Sequence, residues 1–344
     1  MGPGLAEQPD DWTEPGAHAV VAGVHRIPLP LPLSGLRAVN LYTIEAPEGL
    51  LLVDPGWAGS AGPALADGLR ALGAGMGDVG RIVVTHAHHD HYTNALALRA
   101  AHQTTVSLGR GEQASVEAMS RRLTETPPQE ALLRRAGAPE LALDMAALLR
   151  KGDLDDDAPW GLPDRWLDDG DQLDVGSRAL EVRVTPGHTR GHIVLRDPGR
   201  GAIFSGDHVL PHITPSIGYE RAPQRSPLRS YLDSLRLVRD LPDALLLPAH
   251  GPVTPSVHVR VDELLRHHEQ RLDEALAHLR TGATTAYEVA ARMRWTRRGL
   301  RVEDLETEHA ALAVLEIAAH LDVLVDAGAL IHDGGTAPRR FALG

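Results

Sequence analysis

Residues 81–91 read Arg81-Ile82-Val83-Val84-Thr85-His86-Ala87-His88-His89-Asp90-His91. The first five, a short apolar run, predict a buried strand that ends where the histidines begin. In extended backbone successive side chains alternate, so His86 and His88 project to one side, and a turn after them presents Asp90 and His91 to a neighbouring position. Neutral imidazoles and carboxylates are donors suited to zinc and other first-row divalent ions. Four such residues within six positions predict half of a metal site in preference to a solvated histidine-rich loop.

Three later segments repeat the design. Thr185-Pro186-Gly187-His188 closes a predicted strand over 179–185, Ser205-Gly206-Asp207 closes one over 202–205, and Pro248-Ala249-His250-Gly251 closes one over 244–247. A lone His or Asp at a strand end is usually structural. In this order, after the first cluster, the three are specific as a set.

The set resembles the metallo-β-lactamase superfamily, whose signature H-x-H-x-D-H is followed by a lone His, a Gly-Asp and a late His before Gly. The resemblance spans about residues 18–256 and implies an α/β fold, the αββα sandwich. Carried over residue by residue, it implies that His86, His88 and His188 hold one metal, that Asp90, His91 and His250 hold a second, and that Asp207 bridges both. Asp54, in Val53-Asp54-Pro55-Gly56, and His192, in His188-Thr189-Arg190-Gly191-His192, match residues that support the ligands from behind. Two divalent ions, zinc first with manganese and iron as alternatives, would activate water for hydrolysis. Asp90 would orient that water and take its proton, and Tyr219, on a Gly-containing loop after Asp207, is the candidate donor to the oxyanion.

Departures from the pattern narrow the branch. There is no cysteine, which excludes the antibiotic-hydrolysing subclass with a Cys ligand; Asp207 argues against the all-histidine subclass, and His88 stands where the flavodiiron branch has Glu. What remains resembles the glyoxalase II-like group of thioesterases, lactonases, phosphodiesterases and nucleases.

Composition sets further bounds. The chain has 344 residues, a formal net charge of −12 and 3% aromatic residues. Broad nucleic-acid affinity needs a positive field and stacking platforms, so a general polyanion binder is disfavoured. No basic and apolar leader opens the chain and no apolar run of membrane length occurs, so a cytoplasmic protein without membrane partner is expected.

The expected organisation is a flexible tail over 1–16, a metallo-β-lactamase domain over 17–256 with a helical insertion at about 110–165, and a C-terminal unit over 257–344. The two strand-rich halves, about 18–109 and 170–250, are expected to form two facing sheets. The insertion pairs helical segments 112–123 and 129–150 and closes on the acidic run 153–157; lying between the first two ligand segments, it is a candidate cap over the site. After residue 256 the pattern is helix, helix, hairpin, which suggests a small winged-helix-like unit, with Asp333-Gly334-Gly335 at the hairpin turn. From Ala249-His250-Gly251-Pro252 into the helix carrying His267-His268-Glu269-Gln270-Arg271, the tail resembles the lactamase-β-like hydrolase group, which includes polyketide thioesterases and a single-strand endoribonuclease.

The leading expectation is therefore hydrolysis of an acyl thioester or related ester, CoA- or carrier-linked substrates included, by a chain that is a candidate homodimer. Arg294, Arg297 and Arg298, beside Trp295, are candidate phosphate contacts. The alternatives are an endoribonuclease or phosphodiesterase, a mononuclear iron sulfur-dioxygenase, and a metabolite-sensing regulator that binds DNA through its C-terminal unit.

Overall fold

The structure is a computed structural model; it describes residues 5–33, 35–121, 127–150, 160–334 and 337–344. Two sheets face each other. The first has seven strands in chain order: β1 (His18–Val21), β2 (Val24–Pro30), β3 (Ala38–Ala46), β4 (Gly49–Val53), β5 (Val79–Val84), β6 (Thr105–Gly109) and β7 (Arg165–Leu167). The second comprises β8 (Gln172–Val175), β9 (Arg178–Val184), β10 (Ile193–Asp197), β11 (Ala202–Gly206) and β12 (Leu245–Pro248), in the spatial order β12-β11-β10-β9-β8.

Apolar residues of both inner faces, Tyr42, Val53 and Val83 from the first sheet and Val182, Leu195 and Phe204 from the second, form one buried core between the sheets. The outer face of the first sheet packs on α1 (Gly62–Ala71) and α2 (His89–His102) through Leu65, Leu69, Ile82, Ala95 and Leu98. The outer face of the second packs on α6 (Pro227–Asp240) and α7 (Val257–Arg280) through Val194, Leu246, Leu235 and Val261. This is the expected αββα layering.

Register places the ligand segments at one end. The parallel pair β4 and β5 aligns Val53 with Val83, so Asp54 emerges beside Thr85 and His86. The parallel pair β11 and β12 aligns Gly206 with Pro248, so Asp207 and His250 emerge together. At this end the sheets are tied by backbone bonds, Ile193 N to Thr85 O (2.9 Å) and Asn40 N to Ala249 O (2.7 Å).

Three expectations about organisation need revision. Residues 5–16, read as a loose tail, lie against the scaffold: Ala6 N donates to Val20 O, Gln8 Nε2 to Ala19 O and the buried Arg26 to Trp12 O. The second helical segment of the insertion divides into α4 (Pro128–Arg135) and α5 (Pro139–Arg150), following α3 (Gln113–Ser120); the acidic run 153–157 falls outside the described residues. Finally, the insertion and the C-terminal segment are not separate layers. Leu133, Ala136, Ala142 and Met145 of the insertion share one core with Ala275 and Leu279 of α7, Val289 of α8 (Ala286–Arg292) and Val314, Ile317 and Leu321 of α9 (Thr307–Asp326). The C-terminal pair β13 (Leu330–His332) and β14 (Phe341–Leu343) closes this core with Leu330 and Phe341.

Candidate metal centre

The strand β5 delivers His86 and His88 in extended backbone, and α2 begins at His89, inside the histidine run. Asp90 and His91 thus occupy the first helical turn, where a carboxylate is favoured by the unsatisfied N–H groups of the helix end. The sequence-predicted ligands converge. Donor atoms of His86, His88 and His188 lie within 4.8 Å of one another, as do those of Asp90, His91 and His250, and those of His86, His91 and Asp207.

Outer hydrogen bonds decide which nitrogen of each ring is free. His188 Nδ1 donates to Ser216 O (2.8 Å) and His250 Nδ1 to Ala38 O (2.7 Å); a carbonyl only accepts, so in the neutral form of each ring Nε2 carries the lone pair. Thr85 Oγ1 donates to Asp54 Oδ2 (2.8 Å) and therefore accepts from His86 Nδ1 (3.0 Å), which leaves His86 Nε2 bare as well. His88 Nδ1 stands 3.0 Å from His86 Nε2 and 3.1 Å from His188 Nε2. Its one proton can satisfy only one of two acceptors. His91 Nδ1 faces Asp54 Oδ2 at 3.1 Å, and its Nε2 faces Asp90 and Asp207.

Buried polar atoms left without partners cost about 1–3 kcal/mol each, and His91 Nε2, His250 Nε2 and Asp207 Oδ1 are buried without a hydrogen-bond partner. A cation at the convergence resolves these conflicts, so the residues fit bound metal. Charge distribution agrees. Burial, then the neighbouring imidazoles, push the pKa values of His86 and His88 well below normal, which keeps them neutral donors. Around Asp90, Asp54 and Asp207 negative charge accumulates: burial opposes protonation of His91, but these three carboxylates outweigh it and raise its pKa to about 10. A proton supplies there the positive charge that a metal would bring.

His192 is different. Asp207 N donates to His192 Nε2 (3.1 Å) and His192 Nδ1 lies 3.0 Å from Thr185 Oγ1. Both ring nitrogens are engaged, so His192 orients Asp207 and has no lone pair left for a metal. Gly206 permits this approach: its φ is +51°, and a Cβ there would stand 2.5 Å from Thr85 Oγ1 and 2.7 Å from His192 Nε2.

The sequence model of the family described as the Metallo-beta-lactamase superfamily matches residues 34–250, which span all of these ligands. The chain belongs to the metallo-beta-lactamase superfamily. Among solved structures, the metallo-beta-lactamase family protein TTHA1429 from Thermus thermophilus is similar with a TM-score of 0.76 and 27% identity, covering 95% of this chain and 100% of that one. The probable metallo-hydrolase YqjP of Bacillus subtilis is 24% identical over 87% of this chain and 90% of its own length. A hydroxyacylglutathione hydrolase of Aeromonas hydrophila is 37% identical over 25% of this chain and 31% of its own. Several further curated relatives are likewise matched over only 31% to 35% of their length.

Elsewhere in this superfamily member, the structure does not gather every predicted residue at the metal end. Tyr219 packs against the core shared by the insertion and the C-terminal helices, where burial, then Glu308, raise its pKa. Arg294, Arg297 and Arg298 are exposed; Arg297 donates to His212 O (2.9 Å) and Arg294 to Gly299 O (3.3 Å). The neighbouring Trp295 is buried, donates to Ala290 O, and is covered by the Arg271 guanidinium at 4.3 Å. No helix among the described residues is long and apolar enough to cross a membrane.

Several supporting residues were not singled out in the sequence. Thr85 joins Asp54 to His86, and its signal was a polar residue ending an apolar strand. Asn40 and Tyr42 donate to Pro248 O and brace the turn that carries His250. Glu112 and Glu220 are buried under the loop after His188, where Thr189 donates to Glu112 and Arg190 N donates to Glu220 (3.0 Å).

Proposed function

We propose that this chain is a dinuclear hydrolase that cleaves an acyl thioester or a related carboxylic ester. One observation carries the dinuclear reading: the two oxygens of Asp207 face different ligand groups. Oδ2 lies 3.5 Å from His188 Nε2, while Oδ1 lies 3.4 Å from His250 Nε2 and 3.8 Å from His91 Nε2. His86, His88 and His188 would hold one ion; Asp90, His91 and His250 the other; Asp207 would join both. Zinc suits this nitrogen-rich donor set. Such ions supply Lewis acidity and make water a nucleophile near neutral pH.

The chain's own groups then have defined tasks. Asp54 and Thr85 fix the tautomers of His91 and His86; Ser216 O and Ala38 O fix those of His188 and His250. Burial works against ionisation of Asp90, but His91 and His250 hold its carboxyl below the usual range, so near neutral pH it is an anion placed to accept a proton from the attacking water. Addition of the water oxygen to the acyl carbon forms a tetrahedral adduct; its collapse breaks the bond from acyl carbon to sulfur or oxygen, and the proton held by Asp90 passes to the leaving group. The partial match to a hydroxyacylglutathione hydrolase supports the thioester class, and the net charge of −12 disfavours a nucleic-acid substrate.

The test is a substrate panel on zinc-loaded protein: acyl-CoA thioesters, S-lactoylglutathione, a lactone, bis-p-nitrophenyl phosphate and single-stranded RNA. Thioester or ester turnover that is lost on chelation supports the reading. Turnover of RNA or the phosphodiester alone would overturn the substrate class. Fewer than about one bound transition metal per chain, or bound iron with oxygen uptake, would overturn the mechanism.

A further inference from the structure

A second cluster of metal-type donors lies outside the centre described above, between α7 and α9. One donor atom from each of His267, His268 and Glu316 lies within 4.8 Å of the other two. His268 is fully buried; His267 and Glu316 are half-buried and open the cluster toward solvent.

The protons in this cluster can be placed. His320 Nδ1 lies 2.7 Å from the carbonyl oxygen of Glu316, which can only accept, so His320 carries its proton on Nδ1 and presents a bare Nε2. His268 Nδ1 lies 3.1 Å from that Nε2 and must donate to it. The proton of His268 is thereby committed, and its Nε2 is a lone pair, buried and without a hydrogen-bond partner. An imidazole whose outer N–H is anchored while its inner nitrogen is bare is the arrangement of a metal ligand held by its outer shell. Burial, then His320 and His267, keep His268 neutral well below its ordinary pKa. The Glu316 carboxyl makes no hydrogen bond or ion pair among the described residues, and burial, opposed by Arg271, raises its pKa, so its ionised form lacks a close counter-charge that a bound cation would supply.

We propose that His267, His268 and Glu316 bind an auxiliary divalent cation of the zinc type, with His268 Nε2 as the buried ligand and the remaining position open to solvent. Two nitrogens and one carboxylate oxygen are a zinc donor set. The charges facing the cluster do not forbid it. Arg271 and Arg260 oppose a cation, but Arg271 is paired with Glu274 (3.2 Å) and stacked over Trp295, and Arg260 is paired with Glu263 (2.9 Å). The ion would pin α7 to α9 and so fasten the C-terminal helices to the sandwich. The His268 ring also stacks edge-on against Tyr231, whose hydroxyl donates to His208 O in the segment that follows Asp207, so the ion sits on a packed path to the catalytic end.

The test counts metal. Full-length protein stripped with chelator, reloaded with zinc and desalted is assayed by mass spectrometry as wild type, His267→Gln, Glu316→Gln, and a form disabled in both halves of the main centre, His86→Ala/Asp207→Ala/His250→Ala. Each cluster variant is expected to lose about one zinc equivalent relative to wild type, and the centre-disabled form to retain about one that is lost when His267→Gln is added. The two single changes are conservative and half-buried, and circular dichroism checks their folding. Equal zinc in wild type and both cluster variants overturns the proposal. A wild type holding about one zinc that vanishes in His267→Gln supports it while refuting the dinuclear centre, so the two readings fail separately.

Discussion

Asp54 Oδ2 stands 3.1 Å from His91 Nδ1, and both side chains are buried. Asp54 does this from a left-handed backbone conformation, φ +53°, and the same carboxylate accepts from the N–H and the hydroxyl of Thr85. One side chain therefore orients ligands of both groups, His91 directly and His86 through Thr85. Asn tolerates this φ, so Asp54→Asn isolates the loss of charge. Zinc affinity measured by chelator competition should fall by about 10–100-fold with native circular dichroism. Unchanged affinity would show that Asp54 serves the strand end alone.

Gly206→Ala should cost more than its single methyl suggests. The added Cβ meets Thr85 Oγ1 and His192 Nε2 at distances real Cβ atoms do not show, in a conformation unfavourable to L side chains. A loss of about 1–3 kcal/mol from backbone strain alone, together with reduced metal content, is expected from thermal unfolding and metal analysis. A variant as stable and as metal-rich as wild type would contradict the close packing at this strand end.

The buried pair Glu112 and Glu220 predicts a pH effect with a definite sign. Burial raises Glu112 to about 8 and Glu220 to about 7, whereas an unfolded glutamate titrates near about 4.3. Between these values the folded chain holds more protons, so this contribution to stability is full at acid pH and is lost as pH rises through the window to about 8. Buried His208 and His320, lowered to about 3 and about 4, act oppositely: the unfolded histidines gain protons as pH falls below about 6.5. The clean comparison is thus wild type against Glu112→Gln in chelator-treated protein. The variant should lose less stability than wild type from pH 5 to pH 8, by on the order of 1–3 kcal/mol, read from denaturant melts. Parallel curves would show that Glu112 is ionised throughout.

Leu133→Ala should destabilise by about 2–5 kcal/mol, since Leu133 is fully buried in the core shared with α9. If that core is one cooperative unit, near-ultraviolet signals from Trp295 and from the sandwich tryptophans Trp57 and Trp166 should shift together. An early, separate loss confined to the insertion would contradict it.

Much of this architecture was legible because ligands follow apolar strands. His86, His188, Asp207 and His250 each stand just past a β run, and chain order then identifies the family pattern. The supporting shell was less legible, because half of it is backbone: Ser216 O and Ala38 O set tautomers, and a carbonyl has no sequence signature. The start of α2 has no periodic signal, because His89, Asp90 and His91 break the apolar spacing while their ligand geometry and the helix end favour one another. The partners of the insertion were missed for a different reason. Its apolar stripe is evident, but the surface that covers it lies more than a hundred residues downstream, and periodicity reports a face without naming what meets it.

That shared core has a consequence for synthesis. While the ribosome makes residues 128–150, the helices that will cover Leu133 and Met145 do not yet exist, and they emerge only with α7 to α9. The nascent sandwich must therefore carry an uncovered greasy surface while the intervening hundred or so residues are made, a target for chaperones until α7 to α9 arrive. Slow elongation over the codons for α7 to α9, or a premature stop there, would harm folding far more than the distance from the histidine cluster suggests.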